Sequence, residues 1–163
     1  MRSDIRAKAR WVYGAVTPRT ILKTICTDGT FAMIAYRKMQ ACQRLHLVPL
    51  AMLFNKINVV FGQCIIGRGA EFGPGLVFVH SQGIVINSAV KGGNDIRLEH
   101  QVTIGAEKGA APVLGDDVFV GAGAKILGGV RIGNRVRIGA NAVVLTDIPD
   151  GATAVGIPAR VVG

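Results

Sequence analysis

The sequence is poor in aromatic residues and in charge, and both shortages narrow the fold class. Aromatic residues make up 6% of the 163 residues and charged residues 18%, whereas half are hydrophobic and 22 are glycine. Globin-like and sandwich cores normally use more large rings than this. The composition therefore favours one domain with many tight corners and a core of small and branched aliphatic side chains.

Other features are scarce or missing, and each absence excludes a class of protein. Cysteine occurs only three times, without a C-x-x-C pair, so neither a disulfide framework nor a zinc site is expected. The apolar run at 47–54 is too short to cross a bilayer, and the first residues lack the apolar stretch of a signal peptide. The Gly-x-Gly tripeptides at 67–69 and 121–123 lack the setting of a nucleotide-binding loop. We expect a cytoplasmic protein without a metal.

Acidic residues are nearly absent from the front of the chain. Residues 1–60 contain ten Lys or Arg and two Asp or Glu, whereas residues 61–163 contain nine and eight. No nucleic-acid recognition motif accompanies the basic part, so no nucleic-acid partner is expected. Two interpretations stay open: a solvated helix face, and peripheral contact with the inner face of an anionic membrane. The anchors for such contact would be Trp11, Leu53 and Phe54.

The hydrophobic pattern from residue 21 to residue 61 is typical of helices. Apolar residues recur there at spacings of three and four: Phe31, Ile34, Ala35 and Met39. Pro49 and the stretch 55–58 are expected to interrupt the pattern. The sequence predicts two or three helices between residues 21 and 61, within a basic helical segment over 1–60.

A six-residue period replaces the helical one after residue 60. Six aliphatic residues lie six apart: Leu114, Val120, Ile126, Ile132, Ile138 and Val144. Glycine follows four of them: Gly115, Gly121, Gly133 and Gly139. This period arises when each repeat forms one short strand and one corner, and successive coils stack. We expect the aliphatic residues to fill the interior and the glycines to supply unusual backbone angles at the corners.

The same phase extends upstream with two interruptions. The register slips by two residues before Ile86 and by four before Leu114, and the longer interruption predicts a protruding loop at 107–111. Three repeats per coil give four to five coils over 61–163. The helices would cap one end of this solenoid, and the segment 157–160 would close the other.

Three segments resemble the hexapeptide-repeat acetyltransferases. They read VGAGAKILG at 120–128, IGANAVVL at 138–145 and VGIPARVVG at 155–163. The chain is most similar to the serine acetyltransferase branch and its relatives in exopolysaccharide and colanic-acid biosynthesis, over about residues 20–163. The resemblance implies a mainly β fold, a left-handed parallel β-helix with a short N-terminal helical segment. It also implies a homotrimer with active sites between subunits, and acetyl-CoA as co-substrate without a metal.

The resemblance implies that His80 is the general base. In this family the base is a histidine just after a short apolar strand, and the matching segment here is LVFVHSQG at 76–83. An alcohol must lose its proton as it attacks a thioester, and a neutral imidazole, with an unperturbed pKa of about 6.5, suits that task.

His100 and five further residues complete the predicted site. His100 is the third residue of its repeat, as His80 is, so we expect the two imidazoles one coil apart, roughly 4.8 Å between backbones. We predict that His100 either orients the substrate or supports His80 as its neighbour, and an inert corner residue is the open alternative. The matching motifs imply that CoA contacts the main chain at three small corner residues, Gly105, Ala122 and Ala140. Lys125 and Arg160 are the cations expected to bind its phosphates.

The chain departs from serine acetyltransferases where that branch carries charge. Val79 replaces the aspartate before the catalytic histidine, and Ile65 stands near the position of the aspartate that orients it. The loop reads Ala-Ala-Pro at 110–112 in place of Arg-His-Pro. A zwitterionic acceptor needs fixed charges. Candidates to orient the base instead are Glu99, Glu107 and a main-chain carbonyl.

These departures decide the predicted acceptor. The run HQVTIG at 100–105 is similar to one in the exopolysaccharide relatives, and a neutral sugar needs hydrogen bonds more than ion pairs. The sequence therefore predicts acetyl transfer to a hydroxyl of a sugar or polysaccharide intermediate. The alternatives are a serine O-acetyltransferase of cysteine biosynthesis and a non-catalytic trimeric scaffold.

Overall fold

The computed structural model, which describes residues 1–162, has helices first and short strands after them. The helices are α1 (Arg2–Tyr13), α2 (Pro18–Ile25), α3 (Thr30–Arg44) and α4 (Val48–Phe61). The strands are β1 (Ile65–Ile66), β2 (Glu71–Phe72), β3 (Val77–Phe78), β4 (Val85–Ile86), β5 (Lys91–Gly92), β6 (Arg97–Leu98), β7 (Thr103–Gly105), β8 (Val113–Leu114), β9 (Phe119–Val120), β10 (Lys125–Leu127), β11 (Arg131–Ile132), β12 (Arg137–Ile138), β13 (Val143–Val144), β14 (Thr153–Val155) and β15 (Arg160–Val162).

Each coil gives one strand to each of three parallel sheets. Sheet A has the order β1-β4-β7-β10-β13, sheet B has β2-β5-β8-β11, and sheet C has β3-β6-β9-β12-β14 followed by β15. Four coils are complete, and β13 and β14 begin a fifth. The predicted left-handed parallel β-helix of hexapeptide repeats is confirmed.

The interior follows the six-residue period. All six leading aliphatic residues are buried, and so are the residues four positions after each: Val118, Ala124, Val130, Val136, Ala142 and Ile148. Stacking of identical places in successive coils makes one continuous apolar core, which extends into the helices.

The glycines that follow the leading residues have a different cause from the one predicted. A Cβ on Gly121 would lie 2.7 Å from the main-chain nitrogen of Ala140 in the next coil, so close stacking of coils requires glycine there. The unusual backbone angles occur two residues later in the repeat, at Asp117 with φ 55° and Asn141 with φ 56°. Asp and Asn tolerate this left-handed region better than most residues.

Three helices cover the range 21–61, within the two or three predicted there, and α1 is a further helix that precedes this range. The inward face of α1 buries Asp4 and Lys8 beside Ala9, so the sequence of α1 lacks the apolar period that predicts a helix. The stretch 55–58 does not break a helix but lies inside α4. There the side chain of Asn55 donates a 2.6 Å hydrogen bond to the carbonyl of Ile66, so the amide attaches α4 to the first coil.

Both ends of the β-helix are covered. At the first coil the hydroxyl of Tyr36 in α3 donates a 2.9 Å hydrogen bond to the carbonyl of Ala70. At the last coil β15 folds back antiparallel on β14, after a cis peptide bond at Ile157–Pro158, and Ala159 is buried. The predicted caps therefore lie where expected, while Gly163, the last residue of the VGIPARVVG segment, is outside the described residues.

Two further sequence predictions concern the surface. The loop predicted at 107–111 lies between β7 and β8, where Glu107 and Ala110 pair across a turn. Among residues 1–162, the helices are all too short or too polar to traverse a bilayer.

Candidate active site

The predicted site lies on one edge of the solenoid, where sheet C turns into sheet A. The strands β3, β6, β9 and β12 are paired in register, so the residues two positions after them stack along this edge. We call the stacked residues the site edge: His80, His100, Ala122 and Ala140. Main-chain hydrogen bonds join its coils, including 2.9 Å from Gly123 to His100 and 2.8 Å from Asn141 to Ala122.

The two imidazoles lie next to each other at the end of the site edge that is nearest the N-terminal helices. The ring centroids of His80 and His100 are 6.1 Å apart and the ring planes meet at 73°, so the contact is edge-to-face and not a face-to-face stack. The two-residue slip in register falls between β3 and β4 and enlarges the corner at His80. Half of each side chain stays exposed, which leaves both rings open to a ligand.

The carboxylate that faces His80 comes from the helices. Oδ2 of Asp28, in the turn between α2 and α3, lies 3.4 Å from Nδ1 of His80. The predicted candidates lie elsewhere. Glu99 lies 3.8 Å from Nδ1 of His100, and Glu107 is in the loop, 3.9 Å from Nζ of Lys108. Sequence reasoning missed Asp28 because it precedes His80 by 52 residues; the Asp-Gly turn between helical patterns was the available signal.

A buried lysine holds the turn that carries Asp28. Lys8 of α1 is 1% exposed, and its ammonium donates to the main-chain carbonyl of Asp28 and, at 3.3 Å, to that of Val79. Burial lowers the pKa of Lys8 to about 8, against the opposing effect of the Asp28 charge. Next in the turn, a Cβ on Gly29, with φ 74°, would lie 2.5 Å from the carbonyl oxygen of Phe78. The turn is therefore packed tightly against the strand that ends before His80.

A cavity of about 560 Å³ opens at these groups. Its polar wall contains Asp28, His80 and His100, and its apolar wall contains Phe31 and Phe61, whose ring centroids are 6.2 Å apart. The cavity therefore offers a titratable pair, a carboxylate and an apolar face to a small polar acceptor.

The predicted CoA contacts are only partly brought together. Ala122 and Ala140 belong to the site edge, and Nζ of Lys125 donates a 2.9 Å hydrogen bond to the carbonyl of Gly123 beside it. Arg160 lies on β15 opposite Val155, at the far end of the same edge. Gly105 ends β7 and pairs with Leu127, on the opposite side of sheet A from the site edge. The roles of all seven predicted site residues stay predictions.

Over residues 1–162, no three His, Cys, Asp or Glu side chains converge on a common point, and the three cysteines are free thiols.

Known proteins resemble this chain in sequence and in fold. Residues 111–146 match the family model "Bacterial transferase hexapeptide (six repeats)". The serine acetyltransferase of Helicobacter pylori strain J99 is 40% identical over 138 residues, which cover 82% of this chain and 81% of that protein. The chain belongs to the serine acetyltransferase family.

Solved structures of the family agree with this assignment. Soybean serine acetyltransferase complexed with serine superposes with a TM-score of 0.88 at 33% identity, over 98% of this chain and 67% of that one. A serine acetyltransferase in complex with CoA superposes with a TM-score of 0.87 at 34% identity, over 98% and 66%. The chain spans 63% of the length of the serine acetyltransferase from Neisseria gonorrhoeae.

The family assignment confirms one functional prediction and corrects another. The protein is an acyltransferase with acetyl-CoA as co-substrate, as the sequence predicted, and the alternative of a non-catalytic scaffold is wrong. The prediction of a sugar or polysaccharide acceptor is also wrong, because the relatives are serine acetyltransferases and not exopolysaccharide enzymes. That prediction counted charges on the coils and the loop only, whereas the structure brings Asp28 to the site from the helices.

Proposed function

We propose that this acetyltransferase moves the acetyl group of acetyl-CoA to the hydroxyl of serine, with His80 as the general base. The observation that carries the proposal is the position of His80 on the cavity rim, with Nδ1 towards the carboxylate of Asp28, in a chain of this family. Because Nδ1 is directed at Asp28, Nε2 is the ring nitrogen left for the acceptor.

The proposed reaction needs only groups at the site edge and the two substrates. Nε2 of His80 takes the proton of the serine hydroxyl as the oxygen attacks the thioester carbonyl. A main-chain N–H at a small corner such as Ala122 stabilises the tetrahedral oxyanion. The C–S bond then breaks, and the imidazolium returns its proton to the departing thiolate of CoA. General-base assistance of this kind is worth about a hundred- to ten-thousandfold in rate.

The acceptor is tested by measuring CoA release. Purified protein is supplied with acetyl-CoA and, in separate reactions, with serine, a neutral hexose or no acceptor, and the free thiol of CoA is titrated. We expect saturable release with serine and formation of O-acetylserine by mass spectrometry. Release that is equal with and without serine would refute the proposed acceptor.

We propose that His100 orients the acceptor beside His80. The edge-to-face contact of the two rings places His100 on the same cavity wall one coil further on. His100→Gln keeps a hydrogen-bonding side chain and is expected to lower kcat/KM for serine. Unchanged kinetics would remove His100 from the mechanism.

We propose a homotrimer as the working form. Exposed aliphatic residues lie side by side on sheet A, as Ile65 and Val85 do, and neighbouring apolar positions on a solenoid face suit packing against a second copy. Light scattering on the eluted protein is expected to give about three times the 17.1 kDa of one chain. A monomer at micromolar concentration would contradict this.

A further inference from the structure

We infer that Asp28 is the positioning residue of the catalytic imidazole, and that Lys8 of α1 holds it there, so that the helical segment completes a base that the coils alone leave unoriented. The inference rests on the proposed role of His80. The helices that cover the first coil therefore also take part in the reaction.

Among the described residues, the ring of His80 has one acidic partner. Val79, directly before His80, is apolar, and the carboxylate of Glu99 faces His100 instead. Among residues 1–162, Asp28 is the acidic side chain in contact with a ring nitrogen of His80, at 3.4 Å. A carboxylate at Nδ1 holds the proton on that nitrogen and so keeps the lone pair of Nε2 for the acceptor.

The turn that carries Asp28 is fixed through its main chain. Asp28 itself is largely exposed, so on its own the carboxylate would sample many positions. Its main chain is held twice, by the ammonium of Lys8 and by the close approach of Gly29 to Phe78. Lys8 also donates to the carbonyl of Val79, the residue before the base. One buried cation therefore connects the segment that supplies the carboxylate to the segment that supplies the imidazole.

The buried ammonium of Lys8 joins two particular segments of the chain. Burial of Lys8 costs free energy, as its lowered pKa records, and a methionine of similar length would pack without that cost. Its two acceptors are main-chain carbonyls, one on each side of the imidazole contact. A purely structural lysine could join any two segments, whereas this one joins the two that must stay in register for proton transfer.

During turnover Nδ1 of His80 keeps its proton, which it donates towards the carboxylate of Asp28. Nε2 takes the hydroxyl proton of the acceptor and gives it to the thiolate of CoA, so no proton is gained or lost over the cycle. At 3.4 Å the contact is longer than a strong N–H···O bond, and such catalytic hydrogen bonds commonly tighten once substrate excludes water.

The test uses Asp28→Asn in the full chain, with Glu71→Gln as the matched control because Glu71 is an exposed carboxylate on sheet B. We expect kcat of Asp28→Asn to fall about ten- to a hundredfold with KM for acetyl-CoA unchanged, and Asp28→Glu to restore part of it. Glu71→Gln should match the wild type. A raised KM for serine with an unchanged kcat would overturn the inference, since Asp28 would then bind the acceptor and not the base.

A spectroscopic readout separates orientation from folding. Long-range ¹⁵N–¹H spectra of the imidazoles are expected to give the Nδ1–H tautomer for His80 in the wild type and a shift towards Nε2–H in Asp28→Asn. The same tautomer in both proteins would overturn the inference. His80→Ala is measured in parallel: if it retains full activity, the proposed function fails, whereas full activity of Asp28→Asn alone overturns only the inference.

The role of Lys8 is tested by a double-mutant cycle. Lys8→Met should lower kcat in the wild-type background and have little further effect in Asp28→Asn, because Lys8 acts through that carboxylate. Lys38→Met, an exposed lysine of α3, is the control. If Lys8→Met does not fold, Lys8→Arg serves in its place, and additive losses in kcat would overturn the link between Lys8 and Asp28.

Discussion

At the scale of single residues, the three cysteines differ in ways that can be measured. Cys26 is exposed and lines the cavity, whereas Cys42 and Cys64 are buried, and burial raises the pKa of Cys64 to about 12. Because the thiolate is the reactive form, we predict that one thiol per chain reacts rapidly at pH 8 in the native protein and three react after unfolding. Cys26→Ser should abolish the rapid phase, and rapid labelling in that variant would contradict the burial of the other two.

The second prediction at this scale concerns Lys8 and pH. Its pKa is lowered from 10.5 to about 8 in the folded protein, so between these values the unfolded chain holds more protons and the free energy of unfolding rises with pH. Below pH 8 the contribution of Lys8 to the free energy of unfolding does not change with pH. Above pH 9, Cys64 makes the free energy of unfolding fall as the pH rises, because its pKa is raised in the folded protein.

Chemical denaturation of the wild type and Lys8→Met between pH 7 and pH 9 separates these effects. We predict that the wild type gains on the order of 1 kcal/mol relative to the variant from pH 8 to pH 9. Parallel curves for the two proteins would mean that Lys8 is not desolvated as described.

At the scale of elements, the coils were predictable from the sequence and the helices much less so. The six-residue period located the strands, because each repeat buries the same position, as Ile126 and Ile138 do. The glycines were found for the wrong reason, since the distance between stacked coils is not encoded in a single repeat. The first helix was not found from the hydrophobic pattern because its buried face carries Asp4 and Lys8. Their partners in the turn between α2 and α3 and on the first coil lie 20 or more residues away along the chain.

The contact between α3 and the first coil is tested by changes at two tyrosines, one buried and one exposed. Tyr36 is fully buried and its hydroxyl donates to Ala70 and accepts from Gln40 at 3.1 Å, so Tyr36→Phe leaves two polar groups without this partner. We expect a loss of about 1–3 kcal/mol in the free energy of unfolding. Tyr13→Phe, at an exposed tyrosine, should change it by less than about 0.5 kcal/mol. Equal effects of the two changes would contradict the described packing.

At the scale of the whole molecule, the site combines parts that sequence reasoning treated separately. The repeats place His80, His100, Ala122 and Ala140 on one edge, as the register alone predicts, whereas Gly105 lies on the opposite side of sheet A. The carboxylate at His80 could not be predicted in this way, because a contact over 52 residues depends on how the helices dock on the coils. The acceptor was predicted wrongly because the coils and the loop lack the charges that the serine acetyltransferase branch carries there.

The central claim is that one imidazole on the rim of a stacked-coil acetyltransferase performs the proton transfer. Its most direct test is the rate of serine-dependent CoA release by His80→Asn beside His46→Asn, a matched change at an exposed histidine between α3 and α4. The account predicts a fall in kcat of about a hundred- to ten-thousandfold for His80→Asn and none for His46→Asn. Equal rates for His80→Asn and the wild type would contradict it.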